Sequence, residues 1–284
     1  MAKTKEQLLN ILDQFQLDEK VVSAEPFGNG HINDTLKVTN EKGEIKYVLQ
    51  RINHLIFTNV DMLQNNIHVV TTHIRKKLEE KGETDIDRKV LTFLPTKDGK
   101  KYYFDGDSYW RVCLFIPRSK SYEEVTPELS YEAGKAFGDF QTMLSDIPEG
   151  TLGETIPDFH NMEFRLRQFH EAVAANPAGR LEEVKDLVEE IEKRAEAMCI
   201  QERLYREGQL KKRTNHCDTK VNNMMFDADS DKVLCVIDLD TVMPGFVLSD
   251  IGDFIRTGAN TGAEDDENRI KIIIFSSISL FAVI

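Results

Sequence analysis

The sequence predicts an α+β protein of two lobes: an N-terminal antiparallel sheet lobe that contains one helix, and a mainly helical C-terminal lobe. Three apolar segments separated by turn residues, between residues 21 and 52, are typical of an antiparallel meander. A long helical period covers residues 61–81, and helical periods predominate after residue 117. We therefore expect the first lobe at residues 1–116 and the second at residues 117–284.

The first lobe is predicted to begin with a helix, because apolar residues fall at helical spacing within the first 20 residues. About five strands follow, with the long helix between the third and the fourth. Hairpin turns are expected at residues 28–30 and 40–43, and Gly82 is expected to end the long helix. The strand signals lie at residues 21–27, 32–39, 46–52, 90–94, 101–104 and 109–116.

The second lobe is predicted to be helical because apolar residues recur at helical spacing between start and stop signals. Thr126 and Pro127 suit an N-cap and a first helical position, so a helix is expected from there to about residue 144. A later helix is expected to end at Gly208. The remaining predicted elements are helices at residues 162–175 and 181–207, a loop at 213–226, and a short buried hairpin completed by residues 233–237.

The charge of the chain argues against nucleic acid as a partner. There are 36 lysine and arginine residues against 49 aspartate and glutamate residues, which gives a formal net charge of −13 at pH 7. Binding to a phosphate backbone requires a basic face, whereas the compact basic run at residues 211–213 is short. We therefore expect no nucleic-acid partner.

The sequence also predicts a cytoplasmic protein without a membrane partner. The N-terminus lacks the apolar stretch and the small-residue cleavage site of a signal peptide. The long apolar run at residues 272–284 is shorter than the roughly 17 to 25 residues that span a bilayer. The four cysteines have no CxxC spacing, which favours buried, reduced thiols over disulfides or a zinc site.

The strongest chemical signal is a histidine–aspartate loop at residues 215–223, followed by an aspartate at the end of an apolar strand. Phosphoryl transfer needs a carboxylate that deprotonates the attacking hydroxyl, and an amide and a second carboxylate that hold Mg²⁺ against a triphosphate. Asp218, Asn223 and Asp238 supply these three groups. Each residue alone also fits an ordinary loop, but the combination favours a phosphotransferase site.

Neighbours of this candidate base have predicted supporting roles. Lys220 is expected to offset the charge that builds on the transferring phosphoryl group. His216 is expected to brace the loop by packing and hydrogen bonding, because the aspartate already fills the acid–base role. Residues 249–253 and Arg256 are expected to shape the loop through backbone hydrogen bonds and an ion pair.

A glycine-rich turn between the first two strands is a candidate phosphate-binding loop. Gly28 and Gly30 allow a hairpin to bring backbone N–H groups close to phosphates, although the turn is not a Walker A loop. An ordinary Asn-Gly hairpin turn explains the same residues equally well. His31 and Asp34 are polar groups that suit a sugar ligand, or alternatively are solvated loop residues.

The third strand ends in a cation, Arg51, where kinases carry the lysine that holds the α- and β-phosphates. Its guanidinium can bind phosphate bidentately, and a surface arginine on a strand is the alternative. The following helix has no carboxylate between Asp61 and Glu79, so it offers no evident partner for this cation.

Four strings of the sequence resemble the aminoglycoside phosphotransferase and choline kinase superfamily, which has a protein-kinase-like bilobal fold. Within it they resemble the N-acetylhexosamine 1-kinases, bacterial enzymes that phosphorylate the anomeric hydroxyl of N-acetylglucosamine and N-acetylgalactosamine. The resemblance covers about residues 20–270. The strings are GNGHINDT (residues 28–35), YVLQRIN (47–53), NHCDTKVNN (215–223) and VIDLDTVMPG (236–245).

The resemblance implies a nucleotide-binding first lobe and a catalytic, substrate-binding second lobe. It implies ATP and Mg²⁺ as cofactors, an N-acetylhexosamine as the small-molecule substrate, and the sugar 1-phosphate and ADP as products. The implied site residues are Asp218 as the base with Lys220 beside it, Asn223 and Asp238 for Mg²⁺, Gly28, Gly30, Asn33 and Arg51 for the nucleotide, and His31 and Asp34 for the sugar.

The chain departs from the family after about residue 269, where it becomes apolar and poor in charge. This departure predicts either a truncated or altered ending that lacks part of the sugar pocket, or a new packing strand or helix. Two alternatives therefore stay open beside the sugar kinase. One is another small-molecule kinase of the superfamily, acting on choline, homoserine or an aminoglycoside, and the other is a catalytically dead nucleotide-binding remnant.

Overall fold

A computed structural model describes residues 3–28, 32–122 and 126–258, and it confirms the α+β fold with an antiparallel sheet lobe and a helical lobe. The predicted altered ending lies outside the described residues, and the division into lobes at residues 116 and 117 stays a prediction. The elements of the first lobe are α1 (Lys5–Leu12), β1 (Val21–Pro26), β2 (Asp34–Asn40), β3 (Ile45–Ile52), α2 (Val60–Glu80), β4 (Phe93–Leu94), β5 (Tyr103–Phe104) and β6 (Tyr109–Leu114).

The first-lobe strands form one antiparallel sheet in the order β1-β2-β3-β6-β4, with β5 paired to β6. The register places Gln50 opposite both Thr35 and Arg111. Because successive side chains of a strand point to opposite faces, these three residues share one face of the sheet. Asp34 and Arg51, which are also paired, share the other face.

Helix α1 covers the face of the sheet that carries Asp34 and Arg51. Leu12 of α1 packs with Val38, Leu49 and Trp110 of the strands in one buried apolar cluster. Each of these four side chains is nearly or completely inaccessible to solvent. Burial of such side chains is the main favourable contribution to folding, so this cluster fixes the register of β2, β3 and β6.

Helix α2 packs on the opposite side and joins the first lobe to the second. The side chain of Asn59 caps its first turn by accepting a hydrogen bond from the Met62 N–H. Its apolar stripe, which includes Leu63 and Ile67, lies in one buried cluster with Leu239 from the second lobe. The relative position of the two lobes is therefore fixed by a continuous apolar core.

The second lobe contains helices around two small antiparallel sheets, ordered β10-β9-β7 and β11-β8. Strand β7 pairs with β9, so the chain enters the second lobe directly after β6. The elements of this lobe are β7 (Ser119–Lys120), α3 (Pro127–Leu144), α4 (Met162–Ala175), α5 (Lys185–Met198), α6 (Ile200–Arg206), β8 (Arg213–Asn215), β9 (Met224–Asp227), β10 (Val233–Val236), β11 (Met243–Gly245) and α7 (Val247–Gly258).

Two predicted helices were too long, and the first-lobe sheet has six strands rather than about five. The first helix ends at Leu12. The helix predicted at residues 181–207 is divided into a 3₁₀ turn, α5 and α6, with a break at Cys199. No residue of α5 or α6 is buried, so tertiary packing does not enforce one continuous helix there.

The cysteines are unpaired, as the sequence predicts, and three of the four are buried. Burial raises the pKa of Cys113 to about 11 and the pKa of Cys235 to about 12, so both thiols stay protonated at neutral pH. Within the described part of the chain, no helix is both long enough and apolar enough to span a bilayer.

The contacts of Asp105 are expected to stabilise the β5–β6 hairpin. Although burial raises the pKa of its carboxyl, Lys3 and the N–H groups of Ser108, Asp107 and Trp110 outweigh this effect and lower the pKa to about 2. We expect the Asp105→Asn variant to lose about 2 kcal/mol of stability at pH 7, measured by urea unfolding.

Because the pKa of the folded state is below that of the unfolded chain, the wild type should keep this advantage above pH 4. The advantage should disappear as the pH falls towards 2. Asp107→Asn is the matched control, since its side chain is 74% exposed, and it should change stability by less than about 0.5 kcal/mol. Equal stability of the two variants at pH 7 would contradict this account.

Candidate active site

The candidate base and metal ligands converge in the second lobe, although they are separated in the sequence. The loop after β8 carries Asp218, a 3₁₀ turn (Val221–Asn223) ends in Asn223, and Asp238 follows β10. Pairing of β9 with β10 folds this segment back on itself, and the Ile237 N–H donates to the Asn223 carbonyl oxygen at 2.9 Å. The hairpin therefore brings the three residues into one site.

Asn223 orients the carboxylate of Asp218. Its Nδ2 donates to Asp218 Oδ2 at 2.9 Å and to the Asp218 carbonyl oxygen at 2.8 Å. The other carboxylate oxygen, Oδ1, lies 3.6 Å from Lys220 Nζ. One oxygen of the half-buried Asp218 is thus engaged, and the other faces the ammonium group that the sequence analysis associates with the site.

His216 braces the loop, as the sequence predicts. Its buried ring makes edge contacts with Phe137 and Phe140, with ring centroids 5.6 and 5.8 Å away. The Asp218 N–H lies 3.3 Å from Nδ1, and Nε2 lies 2.9 Å from the Ile237 carbonyl oxygen. This network assigns the ring proton to Nε2 and ties the loop to the end of β10.

Asp250 of α7 holds the backbone of the same loop. Its buried carboxylate accepts hydrogen bonds from the N–H groups of His216 at 3.0 Å and Cys217 at 2.8 Å, and from Gln141 Nε2 at 3.0 Å. Its carbonyl oxygen accepts a hydrogen bond from Thr219 Oγ1 at 2.6 Å. Helix α7 therefore supplies the loop-shaping contacts that the sequence predicts.

Asp238 differs from the neighbouring carboxylates because no described residue donates a hydrogen bond to its side chain or forms an ion pair with it. The residue as a whole is exposed to solvent, although many protein atoms lie near its carboxyl group. Desolvation by these atoms, with the nearby Asp240 and Asp218 carboxylates, raises the pKa of Asp238 to about 6 despite the opposing effects of His216 and Arg111. An unpaired, crowded carboxylate favours a cation.

The donor set at this point fits Mg²⁺. The Asp238 carboxylate and Asn223 Oδ1 make no hydrogen bond with the described residues, and both are oxygen atoms of the kind that Mg²⁺ prefers. The described residues contain no group of three or more His, Cys, Asp or Glu side chains that could hold a metal. Protein-bound Mg²⁺ commonly takes one or two protein ligands, with phosphates and water completing its shell.

The glycine-rich turn approaches the site through Asn33. Its Nδ2 donates to Asp240 Oδ2 at 2.5 Å, and its Oδ1 accepts a hydrogen bond from the Asn53 N–H at 2.9 Å. Gly28 has a φ of +76°, a conformation that glycine adopts without strain. Gly30 and His31, which the sequence assigns to the nucleotide and the sugar, lie outside the described residues.

Arg51 and Asp34 form an ion pair with each other, in which Arg51 Nε lies 2.6 Å from Asp34 Oδ2. This carboxylate, from the adjacent strand, is the partner that α2 does not provide. The pair lies on the α1 side of the sheet, so the structure does not bring it to Asp218 and Asp238. The predicted contacts of Arg51 with phosphate and of Asp34 with sugar stay predictions.

The structure brings a different cation to this region, one that the spacing of motifs in the sequence does not indicate. Arg111 of β6 is buried and contacts both carboxylate oxygens of Asp240, at 2.5 and 2.9 Å. Although burial lowers the pKa of Arg111, the Asp240 charge outweighs that effect and raises it. The available signal was an arginine within an apolar strand, which must find a buried partner.

A sheet lobe above a helical lobe, with a carboxylate, an amide and a second carboxylate on adjoining loops, is the arrangement of a kinase-like phosphotransferase. A comparison with protein families agrees with it. Residues 23–271 match the model of the phosphotransferase enzyme family, APH. The chain therefore belongs to this family.

Solved structures with the same fold include three phosphotransferases. An aminoglycoside phosphotransferase from Alicyclobacillus acidocaldarius has a TM-score of 0.59 and 16% identity, over 91% of this chain and 72% of that one. Spectinomycin phosphotransferase in complex with ADP and spectinomycin has a TM-score of 0.56 and 15% identity, over 92% of this chain and 75% of that one. An aminoglycoside phosphotransferase from Streptomyces rimosus in complex with ADP and streptomycin has a TM-score of 0.54 and 14% identity, over 99% of this chain and 91% of that one.

The contacts of Asp250 predict its contribution to stability. We expect Asp250→Ala to lower the free energy of unfolding by about 3 kcal/mol, because two backbone N–H groups and the Gln141 amide lose a buried acceptor. Urea unfolding measures this change. Leu248→Ala on the same helix is the control, since Leu248 is exposed and should cost less than about 0.5 kcal/mol. An Asp250→Ala variant as stable as this control would refute the assignment.

Proposed function

We propose that this protein transfers the γ-phosphoryl group of ATP to the anomeric hydroxyl of an N-acetylhexosamine, giving the sugar 1-phosphate and ADP. The observation that carries this proposal is the convergence of Asp218, Asn223 and Asp238 at one site of a family phosphotransferase fold. The sugar class comes from the four sequence strings that resemble the N-acetylhexosamine 1-kinases.

Asp218 is proposed to accept the proton of the attacking hydroxyl. Asn223 engages Oδ2, which leaves Oδ1 as the oxygen for the acceptor. Lys220 Nζ, 3.6 Å from Oδ1, is placed to offset negative charge on the transferring group. Such transfer requires little covalent chemistry from the protein, so a fixed carboxylate and a nearby cation are the groups that matter most.

Asp238 and Asn223 Oδ1 are proposed to hold Mg²⁺, which when bound would neutralise charge on the phosphate oxygens. The lack of a hydrogen-bond donor or cation on the Asp238 carboxylate among the described residues supports this role. Burial, together with the Asp240 and Asp218 charges, raises the pKa of Asp238 to about 6, and a cation bound beside the carboxylate would offset both effects.

The nucleotide is proposed to lie between the glycine-rich turn and the metal ligands. Spectinomycin phosphotransferase, which shares the fold, is in complex with ADP, and this supports a nucleotide site in the present chain. Both polar atoms of the Asn33 side chain are engaged within the protein. We therefore propose that backbone N–H groups of the turn at Gly28 and Gly30 contact the phosphates.

The acceptor is identified by measuring ADP release from Mg–ATP with separate acceptors and a blank without acceptor. The panel contains N-acetylglucosamine, N-acetylgalactosamine, glucose, choline, homoserine and an aminoglycoside. We expect release with an N-acetylhexosamine and a 1-phosphate product detected by ³¹P NMR. Stimulation by another compound instead would transfer the proposal to that acceptor, and stabilisation by ATP without any turnover would identify a nucleotide-binding remnant.

The proposed base is tested by Asp218→Asn, which keeps the size of the side chain and removes its basicity. We expect kcat to fall by roughly 10² to 10⁴, with the dissociation constant for ATP changed less than about threefold. Asp229→Asn is the control, because this exposed carboxylate lies in the β9–β10 turn and outside the site. An Asp218→Asn variant with near wild-type kcat would exclude Asp218 as the base.

A further inference from the structure

Asp240 lies two residues after the proposed metal ligand, yet its surroundings are of a different kind. The side chain is 2% exposed, and its two oxygens accept three hydrogen bonds. Two come from Arg111, at 2.5 and 2.9 Å, and the third comes from Asn33 Nδ2 at 2.5 Å. These donors saturate the carboxylate of Asp240, whereas the carboxylate of Asp238 is proposed to bind a cation.

The donors belong to the first lobe, whereas Asp240 belongs to the second. Arg111 is oriented by Gln50 of β3, whose Oε1 accepts a hydrogen bond from Arg111 Nε at 2.9 Å. The amide group of Gln50 in turn donates to Thr35 Oγ1 of β2 at 3.1 Å. Three neighbouring strands therefore converge on a single carboxylate of the other lobe.

The turn that carries Asp240 is also tied to the catalytic loop. The Asp240 carbonyl oxygen accepts a hydrogen bond from Thr155 Oγ1 at 2.8 Å. The hydroxyl of the next residue, Thr241, donates to the His216 carbonyl oxygen at 2.8 Å. One continuous hydrogen-bonded path thus connects the end of the glycine-rich turn, at Asn33, to the loop that carries Asp218.

We propose that Asp240 is a positioning residue that, through Arg111 and Asn33, fixes Asn33 and the start of β2 relative to Asp238 and the catalytic loop. Asp240 is not a metal ligand in this arrangement. The inference rests on the proposed function, because it concerns how the two halves of that phosphotransferase site are aligned. A shift of one lobe against the other would break the pair while both charges stay buried, so the pair disfavours any other packed arrangement of the lobes.

The alignment is tested first with Asn33→Ala, because removing this half-buried side chain leaves the buried ion pair intact. We expect kcat to fall at least tenfold, since the start of β2 would no longer be tied to Asp240 and the alignment of the two lobes would loosen. The Mg²⁺ concentration for half-maximal activity should change less than twofold. Asn10→Ala, an exposed asparagine on α1, is the matched control and should leave kcat unchanged.

Variants of the ion pair separate positioning from metal binding. Arg111→Lys keeps the charge but loses the planar fork, and Asp240→Asn keeps the size but loses the charge. Both should lower kcat at least tenfold with less than a threefold change in the half-saturating Mg²⁺ concentration. Asp238→Asn, in contrast, should raise that concentration at least tenfold. Asn33→Ala combined with Asp240→Asn should be no worse than Asp240→Asn alone, because both act through one contact.

A second readout does not depend on the acceptor. Binding of a fluorescent ADP analogue, titrated with Mg²⁺, should weaken at least threefold in Asn33→Ala without a shift in its Mg²⁺ dependence. The positioning role is overturned if Asn33→Ala keeps both kcat and nucleotide affinity within twofold of the wild type. It is equally overturned if Asn33→Ala or Asp240→Asn raises the Mg²⁺ requirement as Asp238→Asn does.

Failure of the proposed function gives a different result from failure of this inference. If no acceptor in the panel supports turnover by the wild type, the proposed function fails, while the nucleotide titrations still decide the role of Asp240. If turnover is present and the three variants behave like Asn10→Ala, the function stands and the positioning role fails. Should Arg111→Lys and Asp240→Asn be unfolded by circular dichroism, the Asn33→Ala results alone decide.

Discussion

A pair of opposite charges, buried where the lobes meet, constrains the rest of this structure. Arg111 and Asp240 are 3% and 2% exposed, and each satisfies the other through two hydrogen bonds. Buried charges of this kind are tolerated when they are paired and hydrogen-bonded, so the pair demands one relative position of sheet and helical lobe. The apolar cluster that joins α2 to the second lobe provides the attraction between the lobes. Apolar contacts have no preferred direction, whereas the hydrogen-bonded ion pair requires one relative orientation of the two lobes.

The site collects several carboxylates, and the partner of each one determines what it can do. Asp240 is neutralised by an arginine, and Asp250 is surrounded by backbone and amide donors. Asp218 has the Asn223 amide on one oxygen and Lys220 near the other. Asp238 has no comparable partner among the described residues, and its pKa is raised to about 6. Because Asp238 lacks the partners that the other carboxylates have among the described residues, it is the carboxylate that most favours binding of a cation. It lies beside the candidate base.

The fold class could be predicted, and the candidate base and its neighbouring amide could be singled out, because both depend on local sequence. Asp218 and Asn223 are five residues apart, so their contact follows from a short loop. The first-lobe residues that face the second lobe could not be selected in this way. Adjacent residues of a strand point to opposite faces of the sheet, and the sequence does not show which face meets the second lobe. Spacing alone singled out Arg51, whereas the register turns Gln50 towards the second lobe. The role of Arg111 was not predicted because its partner, Asp240, is 129 residues away, and no local pattern encodes a contact at that separation.

Backbone strain at the site shows how firmly this arrangement is held. Cys217 and Asp238 have φ angles of +63° and +57°, which cost non-glycine residues about 1 kcal/mol or more each. Such conformations persist where surrounding contacts determine them. The Cys217 N–H is bound by Asp250, and Gly245 lies so close that an added Cβ would be 3.2 Å from Cys217 Sγ. Cys217 directly precedes the candidate base, Asp218, and Asp238 is itself a candidate metal ligand. The fold therefore gives up stability beside the candidate base and at the candidate metal ligand, whose proposed roles require fixed geometry.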